Sequence, residues 1–272
     1  MTSGQADLGG GRHPTPFPEL NELLVELVER ARAILAETYV GAYLQGSFAV
    51  GDADEHSDCD FLIPITTQPD PDREEALRAL HDEIPTRSGH WCRHLEGSYP
   101  LAVELRTTDH MGARWLFVDH GSRTLAWDAH CNTPWARWSL RERGITLAGP
   151  PPNTLVDPVA PDVMVAAARA TLPGLVGDIH SWMPPTIAWG QRYIVTSAAR
   201  ALYTVRTAEV ASKRHAMLWV RDRVDDRWHP LLDQVLADRE LGFDSDTPPR
   251  PGSLEAAHEF AAYVAQISSA VG

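Results

Sequence analysis

An apolar segment headed by two aspartates constrains the fold of this chain more than any other feature. Asp58 and Asp60 open the stretch DCDFLIPIT at residues 58–66, in which most later residues are apolar. A run of that length and composition predicts a central strand of a covered sheet. Side chains two residues apart on a strand point to the same face. We therefore expect the two carboxylates side by side at one end of this strand.

The paired carboxylates predict a magnesium site. Two like charges that close are costly unless a cation lies between them, and Mg²⁺ is commonly held by one or two carboxylates together with water and substrate phosphates. A preceding strand, predicted over residues 39–45, ends in Gly46-Ser47. We expect Gly46 to let backbone approach a triphosphate, and Ser47 and the neighbouring Ser57 to contact it or to stabilise the turns.

The remaining pattern divides the chain into an α/β half and a helical half. Periodicity predicts helices over residues 18–38 and 71–84, and extended stretches over 90–99 and 101–107. The run Pro150-Pro151-Pro152-Asn153 predicts a linker. Helical patterns follow it at residues 162–172, 186–204, 212–223, 231–238 and 253–269. We expect a flexible arm at residues 1–17, a first domain at 18–150 and a helical domain at 151–272.

Composition excludes several classes of protein. The net charge of -13 opposes general nucleic-acid binding but suits a cationic substrate. No apolar run approaches the roughly 20 residues that span a bilayer, and the amino terminus lacks a secretory pattern. Cys59, Cys92 and Cys131 are too widely spaced for a disulfide framework or a zinc motif. We expect a cytoplasmic protein with no membrane or nucleic-acid partner.

The strand, the Gly46-Ser47 turn and the Asp58-x-Asp60 strand together resemble the active-site signature of the polymerase-β-like nucleotidyltransferase superfamily. Three downstream segments narrow the resemblance to bacterial aminoglycoside O-adenylyltransferases of the streptomycin and spectinomycin type: residues 147–158, 192–203 and 210–219. The resemblance implies an α+β fold, in which a nucleotidyltransferase domain with a small mixed sheet flanked by helices precedes an α-helical domain. It also implies antibiotic resistance through Mg²⁺-dependent transfer of AMP from ATP to a small acceptor, and we favour a monomer.

Two glutamates are candidates for the general base that this chemistry needs. Glu96 lies at the more suitable distance along the chain from Asp60, whereas the residues around Glu104 match the base-bearing strand of the resembled family more closely. We prefer Glu96 and keep Glu104 as the alternative. In the helical half, the resemblance places Arg200 and Lys213 on the nucleotide phosphates.

One departure from the resembled family concerns the acceptor. Those enzymes hold the cationic groups of their substrate with acidic residues just before the helix predicted around Arg192, and here Thr186 and Gly190 occupy the corresponding positions. Neither side chain binds an ammonium or guanidinium group. Two alternatives therefore stay open: a nucleotidyltransferase that modifies a protein, and a non-catalytic protein of the same fold that binds a nucleotide or an antibiotic.

Overall fold

A computed structural model describes residues 13–270, and these divide into two compact units. The first combines residues 13–51 with Ser57–Val159, and the second combines Asp52–His56 with residues 160–270. The first unit thus extends past the linker expected at Pro150. Residues 1–12 of the expected flexible arm lie outside the described range.

The last residues of the expected arm are anchored, so that part of the prediction was wrong. Thr15 is buried, its backbone N–H donates to Asn21 Oδ1 at 3.0 Å, and Asn21 Nδ2 donates back to the Thr15 carbonyl at 2.9 Å. The Phe17 ring lies 4.7 Å from the ring of Trp91, centroid to centroid. These contacts fix the entry into the first helix, α1 (Pro18–Leu35).

A six-stranded mixed sheet forms the centre of the first unit. Its strands are β1 (Ala42–Leu44), β2 (Cys59–Leu62), β3 (Leu95–Tyr99), β4 (Trp115–Val118), β5 (Leu125–Asp128) and β6 (Ile145–Ala148). The spatial order is β5-β4-β3-β2-β1-β6. Only β2 and β3 run parallel, and the other neighbours are antiparallel. The central position predicted for the DxD strand is confirmed.

Two helices, α1 and α3 (Pro71–Glu83), belong to the same unit. Helix α3 is capped by Asp70, whose carboxylate accepts from the Arg73 N–H at 2.9 Å. Phe61 of β2 is fully buried and stacks on His81 of α3 with ring centroids 5.8 Å apart. His81 Nε2 lies 2.7 Å from the Tyr99 hydroxyl. Burial lowers the pKa of His81 to about 3, so this core histidine is neutral.

Several short helical segments lie next to the strands of the sheet, and two of them replace segments that were predicted to be extended. Residues 90–93 form a 3-10 turn rather than the start of a strand. The strand predicted over residues 101–107 was wrong, because Ala102–Arg106 form helix α4. Gly46–Ala49 likewise form one helical turn, α2, directly after β1. Pro100 lacks an N–H, and a single bridge between Ile65 and Leu101 ends the ladder there.

Residues 108–149, for which the sequence predicted no elements, contain β4, β5, β6 and helix α5 (Pro134–Arg143). Arg137 of α5 is fully buried and donates to the backbone carbonyls of Thr107 at 2.7 Å, Glu104 at 2.9 Å and Thr133 at 3.2 Å. Burial lowers the pKa of this guanidinium to about 10. The residue therefore joins α4, α5 and their loops through backbone contacts.

The second unit is helical, as expected. Its central element is α9 (Ala188–Thr207), which packs against α7 (Pro161–Thr171), α10 (Lys213–Arg221) and α12 (Ser253–Ser269) around a core that includes Leu202 and Phe260. The shorter α8 (Leu175–His180) and α11 (His229–Ala237) complete it, with α6 (Pro152–Leu155) preceding this unit. No helix within residues 13–270 combines the length and the hydropathy needed to cross a bilayer.

Candidate active site

Three carboxylates share one face of the sheet at the parallel pair of strands. Asp60 of β2 is the register partner of Glu96 of β3, and Asp58 lies two residues before Asp60. Partners opposite each other on adjacent strands point to the same face, as do residues two apart on one strand. The Glu96 side chain is only 15% exposed, and that of Asp58 is 37% exposed. This arrangement concentrates negative charge in a partly sheltered place.

The turn after β1 lies directly against this acidic face. The Gln45 N–H donates to the Asp60 carbonyl at 2.9 Å, and Gly46 then takes a positive φ of 61°. A Cβ at Gly46 would overlap the Asp60 carboxylate, so only glycine leaves this carboxylate its present position. The Ser47 hydroxyl donates to the Asp58 carbonyl at 3.5 Å, and Ser57 is buried beside the same aspartate.

Three histidines that were not among the predicted site residues contact these carboxylates. His120 is hydrogen-bonded to Asp58 through Nδ1, and His94 Nδ1 lies 4.0 Å from the same carboxylate. His130 Nε2 lies 3.5 Å from Glu96 Oε1. The hydrogen bond to Asp58 raises the pKa of His120, and the one to Glu96 raises that of His130. When protonated, these two imidazoles offset part of the acidic charge.

The alternative base, Glu104, lies elsewhere. It is on helix α4, where its Oε2 accepts from the indole N–H of Trp115 at 2.8 Å. The structure thus brings Glu96 together with Asp58 and Asp60, whereas Glu104 is hydrogen-bonded to Trp115. A signal for His94 was present in the sequence, because His94-x-Glu96 repeats the spacing of Asp58-x-Asp60 on the neighbouring strand.

The two cationic candidates belong to the helical unit. Arg200 of α9 donates through Nε to the Ala211 carbonyl at 3.2 Å. Lys213 is the first residue of α10, after the capping Ser212, and its Nζ lies 5.4 Å from the centre of the Tyr193 ring. A cation in that position interacts with the aromatic face. Both side chains are partly buried.

Two residues of this chain, Thr186 and Gly190, stand where the resembled family has acidic residues, and neither is charged. Gly190 is buried in α9, and a Cβ there would lie 2.6 Å from Met183 Cγ, so this residue serves close packing. Thr186 is exposed before the helix. Close by, the Trp189 ring stacks on Tyr193 at 4.8 Å and the Trp182 ring, 54% exposed, meets Tyr193 edge-on at 5.5 Å.

Comparison with known proteins shows which enzymes the chain is similar to. Residues 154–266 match the family model described as the C-terminal domain of aminoglycoside adenylyltransferases. An aminoglycoside (3'')(9) adenylyltransferase from Shigella flexneri is 26% identical, with 93% of this chain and 97% of that protein covered. This chain is similar to aminoglycoside adenylyltransferases over nearly its whole length. The family resemblance expected from the sequence is confirmed, and the chain is an enzyme of the nucleotidyltransferase class.

Other adenylyltransferases agree in sequence and in fold. A spectinomycin 9-adenylyltransferase from Campylobacter jejuni is 27% identical over 79% of this chain and 83% of that protein. The crystal structure of spectinomycin adenyltransferase AAD(9) from Enterococcus faecialis, with ATP and spectinomycin, superposes with a TM-score of 0.69. It covers 89% of this chain and 98% of that one at 13% identity, which establishes the shared fold.

Proposed function

We propose that this adenylyltransferase moves AMP from ATP to a hydroxyl of an aminoglycoside-type antibiotic, such as streptomycin or spectinomycin, with Mg²⁺ as the metal. The observation that carries the proposal is the register of the parallel strands, which sets Glu96 opposite Asp60 with Asp58 two residues away. The names of the relatives support the choice of donor group and acceptor class.

The donor atoms of this face fit Mg²⁺. Carboxylate oxygens are its preferred protein ligands, and Asp58 and Asp60 provide them. We assign these two residues to the metal, which when bound would offset charge on the phosphate oxygens. Ser47 and Ser57, next to the carboxylates, and the backbone at Gly46 are assigned to the phosphates.

Glu96 is assigned the role of general base. A base must lie within hydrogen-bond reach of the acceptor hydroxyl and near the reacting phosphate, and Glu96 is the third carboxylate on the face that carries the aspartates. Its contact with His130 helps to hold the side chain in place.

Arg200 and Lys213 are assigned to the triphosphate as cationic contacts. A guanidinium and an ammonium group both bind phosphate oxygens strongly. Support comes from the family match, since residues 154–266 include both positions. We expect Lys213→Ala to weaken ATP binding, because the cation is lost while Ser212 still caps the helix.

Gly46 provides a test of how closely the turn and Asp60 are fitted. We predict that Gly46→Ala lowers the transfer rate by at least roughly 10-fold, because the new methyl group displaces the Asp60 carboxylate. Gly51→Ala is the matched control. Gly51 also has a positive φ, of 78°, but a Cβ there meets nothing within 4 Å. Equal losses of activity in the two variants would show backbone strain rather than displacement of Asp60.

The activity itself is tested with purified protein, Mg²⁺ and ATP labelled at its α-phosphate. The acceptor panel contains streptomycin, spectinomycin, other aminoglycosides and a mixture of proteins, and Asp60→Asn is the inactive control. We expect label on an antibiotic with the wild-type chain alone. Label on protein instead would favour a protein-modifying enzyme. ATP or antibiotic binding without any transfer would favour a non-catalytic binding protein.

A further inference from the structure

Three strand ends meet at the edge of the sheet where the candidate active site lies. The parallel strands β2 and β3 start there, at Cys59 and Leu95, which are register partners. Strand β4 is antiparallel to β3, with Val118 opposite Gly97, so the chain leaves β4 at that same edge. The residues just outside the three strands are Asp58, His94 and, two residues beyond Val118, His120.

These three side chains offer converging ligand atoms. One carboxylate oxygen of Asp58 and one ring nitrogen each of His94 and His120 all lie within 4.8 Å of one another. Tetrahedral coordination at bonds near 2 Å sets such atoms about 3 to 3.5 Å apart. Rotation of the side chains would have to bring the three atoms to that spacing. The side chains are 23% exposed at His94 and 42% at His120, so an ion has access from solvent.

The surroundings orient the ligands before any ion binds. The His94 carbonyl accepts from the Cys59 N–H at 2.7 Å, which fixes the starts of the two strands side by side. The His94 ring stacks on His90 with centroids 4.2 Å apart and meets the His120 ring edge-on at 4.6 Å. These ring contacts limit the rotation of the His94 imidazole. The group is thus held on strand ends rather than on a long loop.

We propose that Asp58, His94 and His120 form a binding site for a transition-metal ion of the Zn²⁺ or Co²⁺ class, distinct in its ligands from the Mg²⁺ site assigned to Asp58 and Asp60. Imidazole nitrogen suits Zn²⁺ and Co²⁺, whereas Mg²⁺ prefers oxygen ligands. Three protein ligands leave a coordination position for water.

The two proposed sites share one ligand. Because Asp58 belongs to both, we expect an ion held by this carboxylate and the two histidines to compete with Mg²⁺ for it. Zn²⁺ is therefore expected to inhibit Mg²⁺-dependent transfer. This consequence rests on the proposed function, whereas the binding of the ion does not.

The binding test is a titration of the full chain with Co²⁺, without nucleotide or acceptor, followed by visible d–d absorption. We expect a single equivalent to bind with the spectrum of mixed nitrogen and oxygen ligation. His94→Gln and His120→Gln should each weaken Co²⁺ binding by roughly 100-fold, since even outer partners of a metal ligand contribute 10- to 100-fold. Thermal unfolding of each variant checks that it is folded.

Two further variants separate this site from its neighbours. Asp60→Asn should leave Co²⁺ affinity close to wild type, and His130→Gln, which contacts Glu96 instead, should do the same. Loss of Co²⁺ binding in Asp60→Asn, or its retention in both histidine variants, would overturn the proposal, because the carboxylates alone would then hold the ion. If transfer is absent but this pattern appears, the metal site stands and only the proposed function fails.

Zn²⁺ inhibition supplies the second readout. At fixed Mg²⁺, each variant is compared with its own rate in the absence of Zn²⁺. We expect the half-inhibiting Zn²⁺ concentration to rise strongly in His94→Gln and His120→Gln and to stay unchanged in His130→Gln. The same inhibition in all three variants would contradict competition through Asp58.

Discussion

Asp58→Asn and Asp60→Asn should each lower the rate of adenylyl transfer by roughly 1000-fold, because each removes half of the charge that the proposed metal site presents to the cation. The free energy of unfolding of Asp60→Asn should stay the same or rise, since like charges on one face of the sheet repel each other in the absence of a cation, whereas Asp58→Asn also loses the charged contact with His120. Initial rates at saturating ATP and thermal unfolding in metal-free buffer measure the two effects.

Asp119→Asn is the matched control for this loss of charge. Asp119 lies in the turn after β4, where its carboxylate accepts from the His120 N–H at 2.9 Å, and an asparagine oxygen keeps that hydrogen bond. We expect near wild-type transfer. Substantial Mg²⁺-dependent turnover by either Asp58→Asn or Asp60→Asn would remove both from the proposed mechanism, and an equal loss in Asp119→Asn would indicate a general electrostatic effect.

Glu96→Gln should lower the transfer rate by roughly 100-fold or more while ATP binding stays nearly unchanged, because the amide cannot accept the proton of the acceptor hydroxyl. The shape of the side chain and the backbone pairing of β3 are preserved. The decisive measurement is kcat from the antibiotic assay together with the Kd of ATP. A parallel loss of ATP affinity would point to a binding role for Glu96 instead.

Glu104→Gln distinguishes the two candidate bases. Its amide oxygen can still accept from the indole N–H of Trp115, so both stability and transfer should remain close to wild type. If Glu104→Gln were inactive and Glu96→Gln active, the assignment would have to be exchanged in spite of the separation of Glu104 from the aspartates.

The sequence predicted correctly those helices and strands whose apolar residues fit a single spacing, either helical or extended. The helices of the second unit agree with their apolar spacing, and the DxD strand lies at the centre of the sheet. Residues 101–107 show where such patterns are ambiguous, because Leu101, Val103 and Leu105 alternate as in a strand while Leu101 and Leu105 also fit a helical turn. In the structure Leu105 is buried and Val103 is 64% exposed, which is the helical solution.

The histidine contacts could not be predicted from local pattern. His120 reaches Asp58 only because β4 pairs antiparallel to β3 in one particular register, and no element was predicted in that part of the chain. Glu96 was preferred from its distance along the chain, and the parallel register now places it opposite Asp60. Its catalytic role stays a prediction, as do the roles of Arg200 and Lys213.

The connection between β2 and β3 has a consequence for comparing and redesigning these enzymes. Parallel neighbours require the chain to travel back along the sheet, here through α3 and two 3-10 turns, before β3 begins. Strand register, and not the length of that return path, brings the two acidic positions together. Whole helical turns could therefore be gained or lost within residues 66–90 during evolution without moving either carboxylate. Alignments anchored separately on each strand will locate the proposed base more safely than counting residues from the aspartates.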